Sequence, residues 1–307
     1  MKQCRFTSYK LLLLANMPIL APIPNRFNGI ITNLTGQPVT TWGTSVTPNA
    51  TANTYGSYAN VISSATAYDT YFMEIWTHSV GSAGNATDTI ITVGIDPAGG
   101  TSYTDRINHL IVSCAGTSAM GAIPYQFPLF VAAGSTVGVK ASQNRASGSA
   151  FRVGIRLHGK PTKPELVRYG TYVTTFGATT ASSSGTAITP GQASEGTVVT
   201  LGTNITSDYW WWQGGVGVND STMTGGGLYW VLDIGIGTST SAVDWIFQDQ
   251  ITCSAQNTSE QTITQCLPYH CYIREVAQDS TTDVYARMQA SGAPDSSISA
   301  IAYGLGG

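Results

Sequence analysis

Charge is the scarcest property of this 307-residue chain: Asp, Glu, Lys and Arg together make up 10% of it, against roughly 25% in an average soluble domain. The 14 basic residues form no cluster and the net charge is −3, so a basic footprint for nucleic acid is missing. Long helical periodicity is missing too: no stretch keeps apolar residues three and four apart for more than two or three turns. No apolar run reaches the length needed to span a bilayer. The five cysteines, Cys4, Cys114, Cys253, Cys266 and Cys271, are odd in number and irregular in spacing, unlike a secreted disulfide framework. Cys266, His270 and Cys271 invite a zinc reading, but a second ligand pair is lacking and free, partly buried thiols are expected. No metal or other cofactor is expected.

Catalytic patterns are also scarce. His78, His109, His158 and His270 show no metalloprotease or haem spacing, and there is no Gly-x-Ser-x-Gly elbow. Gly154 and Gly159 before Lys160 suggest a phosphate loop, yet Pro161 stands where its Ser or Thr is required. Gly214 to Asp220 faintly matches a calcium nonapeptide, but occurs once where such sites need stacked repeats; a hairpin after the preceding strand explains its glycines equally well. Paired glycosidase carboxylates converge only in space, and several of the 17 acidic residues sit beside turns. The chain is therefore expected not to be an enzyme. The Asn-x-Ser/Thr sequons, such as Asn33 to Thr35 and Asn204 to Thr206, are background for so Ser/Thr-rich a sequence.

What is abundant is the chemistry of strands and turns. The apolar fraction is 42%, enough for a packed core, and 34 Gly and 13 Pro punctuate short β-branched and aromatic runs. The fold class expected is all-β.

An internal duplication organises the chain. "GTSVTP" at Gly43–Pro48 returns as "GTAITP" at Gly185–Pro190, 142 residues later. "TTWG" at Thr40–Gly43 is answered by "TTFG" at Thr174–Gly177. "TVGID" at Thr92–Asp96 is answered by "DIGIG" at Asp233–Gly237, and "IPYQF" at Ile123–Phe127 by "LPYHC" at Leu267–Cys271. "VGVKAS" and "GIRLHG" likewise find "YARMQAS" and "AIAYGLG" in the second half. The order is kept throughout, so the chain reads as two copies of one domain of roughly 130 to 140 residues. Residues 28–159 form the first repeat, 160–169 a Pro-containing, fairly stiff linker, and 170–307 the second repeat.

Period-two alternation places strands in the first copy at Tyr71–Trp76, Thr89–Ile95, Ile107–Ser113, Phe127–Val131, Thr136–Ala141 and Phe151–Leu157. The second copy has them at Tyr209–Gln213, Leu228–Ile236, Val243–Phe247, His270–Val276, Asp283–Gln289 and Ile298–Tyr303. With weaker strands at each start, about eight per copy predict two tandem jelly-roll-like β-sandwich domains.

Two stretches draw functional attention. Residues 1–27 hold Lys2, Arg5 and Lys10 before an apolar run that resembles a signal peptide in outline. Asn16, Pro18, Pro22 and Pro24 interrupt it. We read it as an extended docking arm, with Leu11, Leu12, Leu13, Leu14, Ile19 and Leu20 as its contact residues. The other stretch is Trp210, Trp211 and Trp212, three of only seven tryptophans. Regular alternation puts Trp210 and Trp212 on one face and Trp211 on the other, predicting core on one side and either a covered interface or a ligand patch on the other. Stacking on sugar rings is the functional alternative.

Taken together, the tandem domains, the Gly-Thr-x-Ile/Val-Thr-Pro turns and the Asp-Ile-Gly-Ile-Gly strand resemble virion proteins of tailed bacteriophages. The likeness runs over both copies, from about Asn28 to Gly307, and rests on short motifs. It implies a capsid decoration or cement protein, or a neck or tail fibre, located in the virion and assembled in the host cytoplasm. It further implies a homo-trimer or other homo-oligomer, with major capsid or neck/tail proteins as partners, no nucleic acid or membrane, and attachment through the arm. A carbohydrate-binding adhesin or receptor-binding tail protein, gripping a host surface glycan with the Trp-rich strand, is the alternative.

Overall fold

The computed structural model describes residues 30–34, 43–63, 66–78, 89–112, 125–143, 146, 148, 150–159, 168–183, 185–192, 194–218, 229–253, 272–292 and 298–307. The docking arm lies outside these residues. So do the side chains of all five cysteines, of His78 and of His270.

Eighteen strands account for the regular structure of the described residues. The first nine are β1 (Ile30–Leu34), β2 (Thr44–Val46), β3 (Ala59–Ile62), β4 (Thr70–His78), β5 (Thr89–Asp96), β6 (Thr104–Ile111), β7 (Tyr125–Phe127), β8 (Thr136–Gln143) and β9 (Phe151–Gly159). The second nine are β10 (Tyr172–Phe176), β11 (Thr186–Ala187), β12 (Val199–Gly202), β13 (Tyr209–Val218), β14 (Tyr229–Ser239), β15 (Ala242–Cys253), β16 (Tyr272–Val276), β17 (Asp283–Ala290) and β18 (Ile298–Gly306).

The pairing repeats itself. In the first set, β9 and β4 are neighbours, flanked by β1 and β2 on one side and β7 on the other, while β3, β8, β5 and β6 form the facing sheet. In the second set, β18 and β13 are neighbours, flanked by β10 and β11 on one side and β16 on the other, and the facing sheet runs β12, β17, β14, β15. Two four-stranded arrangements in the orders 2-9-4-7 and 3-8-5-6 are the jelly-roll pattern of antiparallel strands, here executed twice.

Glycine explains part of the repeated sequence. Gly43 and Gly185 open the two Gly-Thr-x-Val/Ile-Thr-Pro motifs with φ of +110° and +125°, a region that side chains with a Cβ rarely adopt. A Cβ on Gly43 would meet the Val153 carbonyl, and one on Gly185 would meet the Ala300 carbonyl. Each glycine thus lets the chain enter β2 or β11 against the matching position of β9 or β18.

Several edges differ from the sequence reading. β7 stops at Phe127, where Val131 was expected, because Pro128 cannot donate to a ladder; only isolated bridges continue it, at Leu129 and Val131. β6 begins at Thr104, three residues before its apolar run, and ends at Ile111. β13 continues through Gly214, Gly215 and Gly217, which pair with Ala302, Ile301 and Ser299. Those glycines therefore lie within a strand rather than in a hairpin turn.

The two repeats share a sheet. β10 pairs in parallel with β6, Val173 opposite Ile107. This single pairing joins β16-β13-β18-β10 to β6-β5-β8-β3 as one nine-stranded sheet that includes β11. All nine residues of β18 are buried, as expected for a strand covered on both faces.

Candidate functional site

The tryptophan strand lies next to this junction, and alternation fails within it. β13 pairs Tyr209 with Gly306 and Trp211 with Leu305, skipping Trp210. The register also slips against β16, where Tyr209 faces Val276 and Trp211 faces Ile273, but there the extra residue lies on β16. Trp210 is the extra residue of a β-bulge, which corrects the expectation that Trp210 and Trp212 share a face. Instead Tyr209 and Trp212 meet at 5.4 Å between ring centres, and Phe176 stacks on Trp212 at 5.8 Å. Trp210 and Trp211 meet edge to face at 5.9 Å.

Trp212 belongs to the core of the second sandwich. Gly304, opposite it in register, leaves room for the rings: a Cβ there would come within 2.9 Å of Tyr209 and 3.2 Å of Phe176 and Trp212. The Trp212 indole N–H donates to the Arg274 carbonyl at 3.0 Å. Trp210 lies under the guanidinium of Arg168, 4.8 Å from its ring centre, a favourable cation–π arrangement. Arg168 also pairs with Glu275. Relative exposures of 2%, 7% and 0% for Trp210, Trp211 and Trp212 leave no ring face open for a ligand.

The outer side of β13 and β18 meets the first repeat. Tyr303 stands edge-on to Tyr125 and Phe127, at 6.2 and 6.5 Å. Its hydroxyl accepts the Ile111 amide at 2.9 Å, while the Tyr125 hydroxyl donates to the Ile111 carbonyl. Gln213 donates to the Gln126 carbonyl, and Thr175 to the Asn108 carbonyl. Gly170, at the end of the connection between repeats, bridges Leu129: its N–H donates to Pro128 at 2.9 Å and its carbonyl accepts Phe130 at 2.8 Å. Beside it, Tyr71, Phe130 and Tyr169 form a ring cluster with centre distances of 5.1 to 5.6 Å. Backbone groups at the ends of β6 and β7 thus find partners across the junction, where burial without them would be costly.

Two buried acids belong to the sandwich walls. Glu74, 5% exposed, is bonded by His158 at 2.9 Å, Gln126 at 3.2 Å and Arg156 at 3.4 Å. Arg156 also covers Trp76 at 4.7 Å. His158, which the sequence assigns to the end of a repeat, is therefore a buried residue of β9. Asp233, 1% exposed, accepts from Arg287 Nε at 2.7 Å, and that guanidinium lies 4.2 Å over Trp245. Both carboxylates are engaged by cations or donors within the fold. The described residues contain no cluster of three His, Cys, Asp or Glu arranged to hold a metal, and no helix among them is long and apolar enough to cross a membrane.

Sequence reasoning missed one surface patch. On the outer face of β8, β5 and β6, Tyr58 and Tyr103 pack at 4.8 Å, and Lys140 lies 4.8 and 5.3 Å over the rings of Tyr58 and Tyr55. Asp105 receives the Tyr58 hydroxyl and the Lys140 ammonium, and Tyr55 shares a 2.8 Å hydrogen bond with His109 Nδ1. Gly94 and Gly138, opposite each other in register, make the floor: a Cβ on either would come within 2.7 Å of a tyrosine. Burial raises Tyr55 to about 12, with Thr92 opposing and Asp105 adding to the rise. Burial, then the bond to Asp105, pushes Tyr58 higher still. Burial lowers His109, against the pull of Asp105 and with the push of Lys140. The signal for this patch is the pair of in-strand glycines, a mark of close approach.

No protein-family model matches the chain, and no curated protein matches it. Solved structures to which it is similar include PNGF-II, at 9% identity and a TM-score of 0.36; the match covers 92% of this chain but only 64% of PNGF-II. The CBM22-1–CBM22-2 tandem domain of Paenibacillus barcinonensis Xyn10C matches at 11% identity over 90% of this chain and 96% of that one, with a TM-score of 0.26. The infectious bursal disease virus Gx strain structure matches at 11% identity over 96% and 77% of the two chains, with a TM-score of 0.22. At these scores the likenesses carry no argument about activity; the all-β tandem architecture rests on the strand pairing itself.

Proposed function

We propose that the protein is a non-enzymatic structural subunit of a bacteriophage virion, acting as decoration, cement or fibre. The observation that carries this reading is the fused nine-stranded sheet, which makes two jelly rolls one building block. A surface with little charge favours association over solvation, and avidity multiplies weak contacts when such blocks assemble. The proposed assembly is a homo-trimer or another homo-oligomer, attached through residues 1–27 to major capsid or neck/tail proteins. Buried, internally paired Glu74 and Asp233 support a stabilising rather than a reactive role for these acids.

The test is the composition of gradient-purified phage particles. Quantitative mass spectrometry should find the chain at many copies per particle, and a chain beginning at Asn28 should be excluded from them. Particles that lack the full-length chain would refute the reading. The adhesin alternative loses its main support, since all three tryptophans of β13 are buried.

A further inference from the structure

Among the described residues, the duplication leaves two matching strands with a single neighbour each. Within the chain, β10 adds in parallel to the edge of β6. The counterpart of β10 in the first repeat is β1, which pairs with β9 as β10 pairs with β18: Ile31 opposite His158, Val173 opposite Leu305. The counterpart of β6 in the second repeat is β15. Val93 faces Ile107 on β6, and Ile234, its equivalent, faces Phe247 on β15. Among the described residues, β1 and β15 each have one neighbour.

The receiving edge is duplicated in its irregularities as well. Register slips on either side of Val93, between Ile91 and Val93 and again between Val93 and Gly94. It slips on either side of Ile234 in the same way, between Leu232 and Ile234 and between Ile234 and Gly235. Consecutive bulges bend a strand, so β15 carries the bend that accompanies the docking of β10 on β6.

Protection of edges points the same way. β15 is twelve residues long and contains no Lys, Arg or Pro; its two acids are Asp244, which pairs with Arg274, and Asp249. β1, Ile-Ile-Thr-Asn-Leu, has neither charge nor Pro. By contrast β3 and β12 have four residues each, and β16 has five with Arg274 and Glu275 among them. Short or charged edges resist adding a strand, whereas a long, weakly charged one is a template for it.

We propose that β15 of one copy receives β1 of a second copy in parallel, with Ile31 opposite Phe247, repeating between chains the junction that β6 and β10 make within one. The interface uses two different surfaces, so it is heterologous and either closes into a ring or continues as a filament. The inference deepens the assembly reading above by naming the surfaces that meet.

The test uses the full chain, sized by sedimentation across a concentration series with amide exchange followed in parallel. The expected result is an assembly larger than one chain, in which residues 30–34 and 242–253 are protected together and lose protection together on dilution. Ile31→Pro and Gln248→Pro should each sediment as a monomer with unchanged tryptophan emission. Mixed in equal amounts they should give a species of twice the monomer mass and nothing larger, since one intact β15 remains for one intact β1. A monomer at every concentration overturns the inference, as does an assembly whose concentration-dependent protection lies on β3, β12 or β16. The outcome is separable from the virion test: a chain abundant in particles but monomeric when purified refutes the junction alone.

Discussion

Tyr303 and Ile111 are 192 residues apart in sequence and are joined by a 2.9 Å hydrogen bond from the Ile111 amide to the Tyr303 hydroxyl. With the Tyr125 hydroxyl on the Ile111 carbonyl, both backbone polar groups of that residue are satisfied by tyrosines, one from each repeat. Replacing Tyr303 with Phe orphans a buried amide and should cost about 1–3 kcal/mol. Tyr303→Ala also empties the space against Tyr125 and Phe127 and should cost about 3–5 kcal/mol. Denaturant unfolding, single and cooperative in the parent because the repeats share a sheet, should separate into two transitions in the alanine variant.

Trp212 is enclosed by Tyr209 and Phe176, with its N–H bonded to Arg274. Trp212→Ala should destabilise by about 3–5 kcal/mol. The native fluorescence contributed by Trp210, Trp211 and Trp212 should be blue-shifted and resist acrylamide. Easy quenching of the Trp212 component, isolated by difference from the substituted chain, would contradict its burial.

The Asp233–Arg287 pair is buried at its acidic end, with Asp233 1% exposed. Asp233→Ala leaves the guanidinium over Trp245 with only the more distant Glu195, at 4.0 Å, as an acidic partner, and should cost about 2–4 kcal/mol, somewhat under the range for fully buried pairs because Arg287 is partly exposed and keeps that second partner. A loss below about 0.5 kcal/mol in chemical denaturation would place this pair with ordinary surface ion pairs.

Acid should weaken the tyrosine patch through His109. Its folded pKa lies below the ordinary 6.5, chiefly because of burial, so the unfolded chain takes up the proton first. The stabilising contribution is therefore complete above 6.5 and is lost as pH falls from there through the folded value. His109→Gln should flatten that part of the stability–pH curve. At the alkaline end Tyr55, raised from 10.0 to about 12, should ionise late in a 295 nm titration, and stability should fall as pH rises between those values.

Close packing on the glycine floor predicts that Gly138→Ala displaces Tyr103, whose ring lies 2.7 Å from the position of the new Cβ. The cost should be about 1–3 kcal/mol, read as a lower midpoint in urea. Cross-peaks between the Tyr58 and Tyr103 rings should disappear from the aromatic nuclear Overhauser spectrum.

Much of the architecture was legible in the chain. Period-two alternation and turn residues located eleven strands and met a twelfth, β7, at Phe127 alone, and the shared offset of short motifs announced two copies, because both depend on neighbours a few residues apart. Gly43 and Gly185 are legible for the same reason: a positive φ selects glycine wherever the turn recurs. The face of each tryptophan was not legible. Alternation predicts it only for a regular strand, and the extra residue at Trp210 is a property of the pairing with β18. The tyrosine patch escaped for a related reason: Tyr55, Tyr58, Tyr103, Asp105, His109 and Lys140 come from separate segments and converge only once β3, β8, β5 and β6 are paired.

By itself, then, the sequence determined an all-β chain of two like halves, through local periodicity, turn chemistry and scarcity of charge. Tertiary structure alone decided that the halves share a sheet, that Glu74 and Asp233 are enclosed, and that β1 and β15 each keep a single neighbour among the described residues. Those outcomes depend on hydrogen bonds and packing between residues separated by tens to nearly two hundred positions, such as Tyr303 and Ile111, and no local pattern encodes which distant edge a strand will meet.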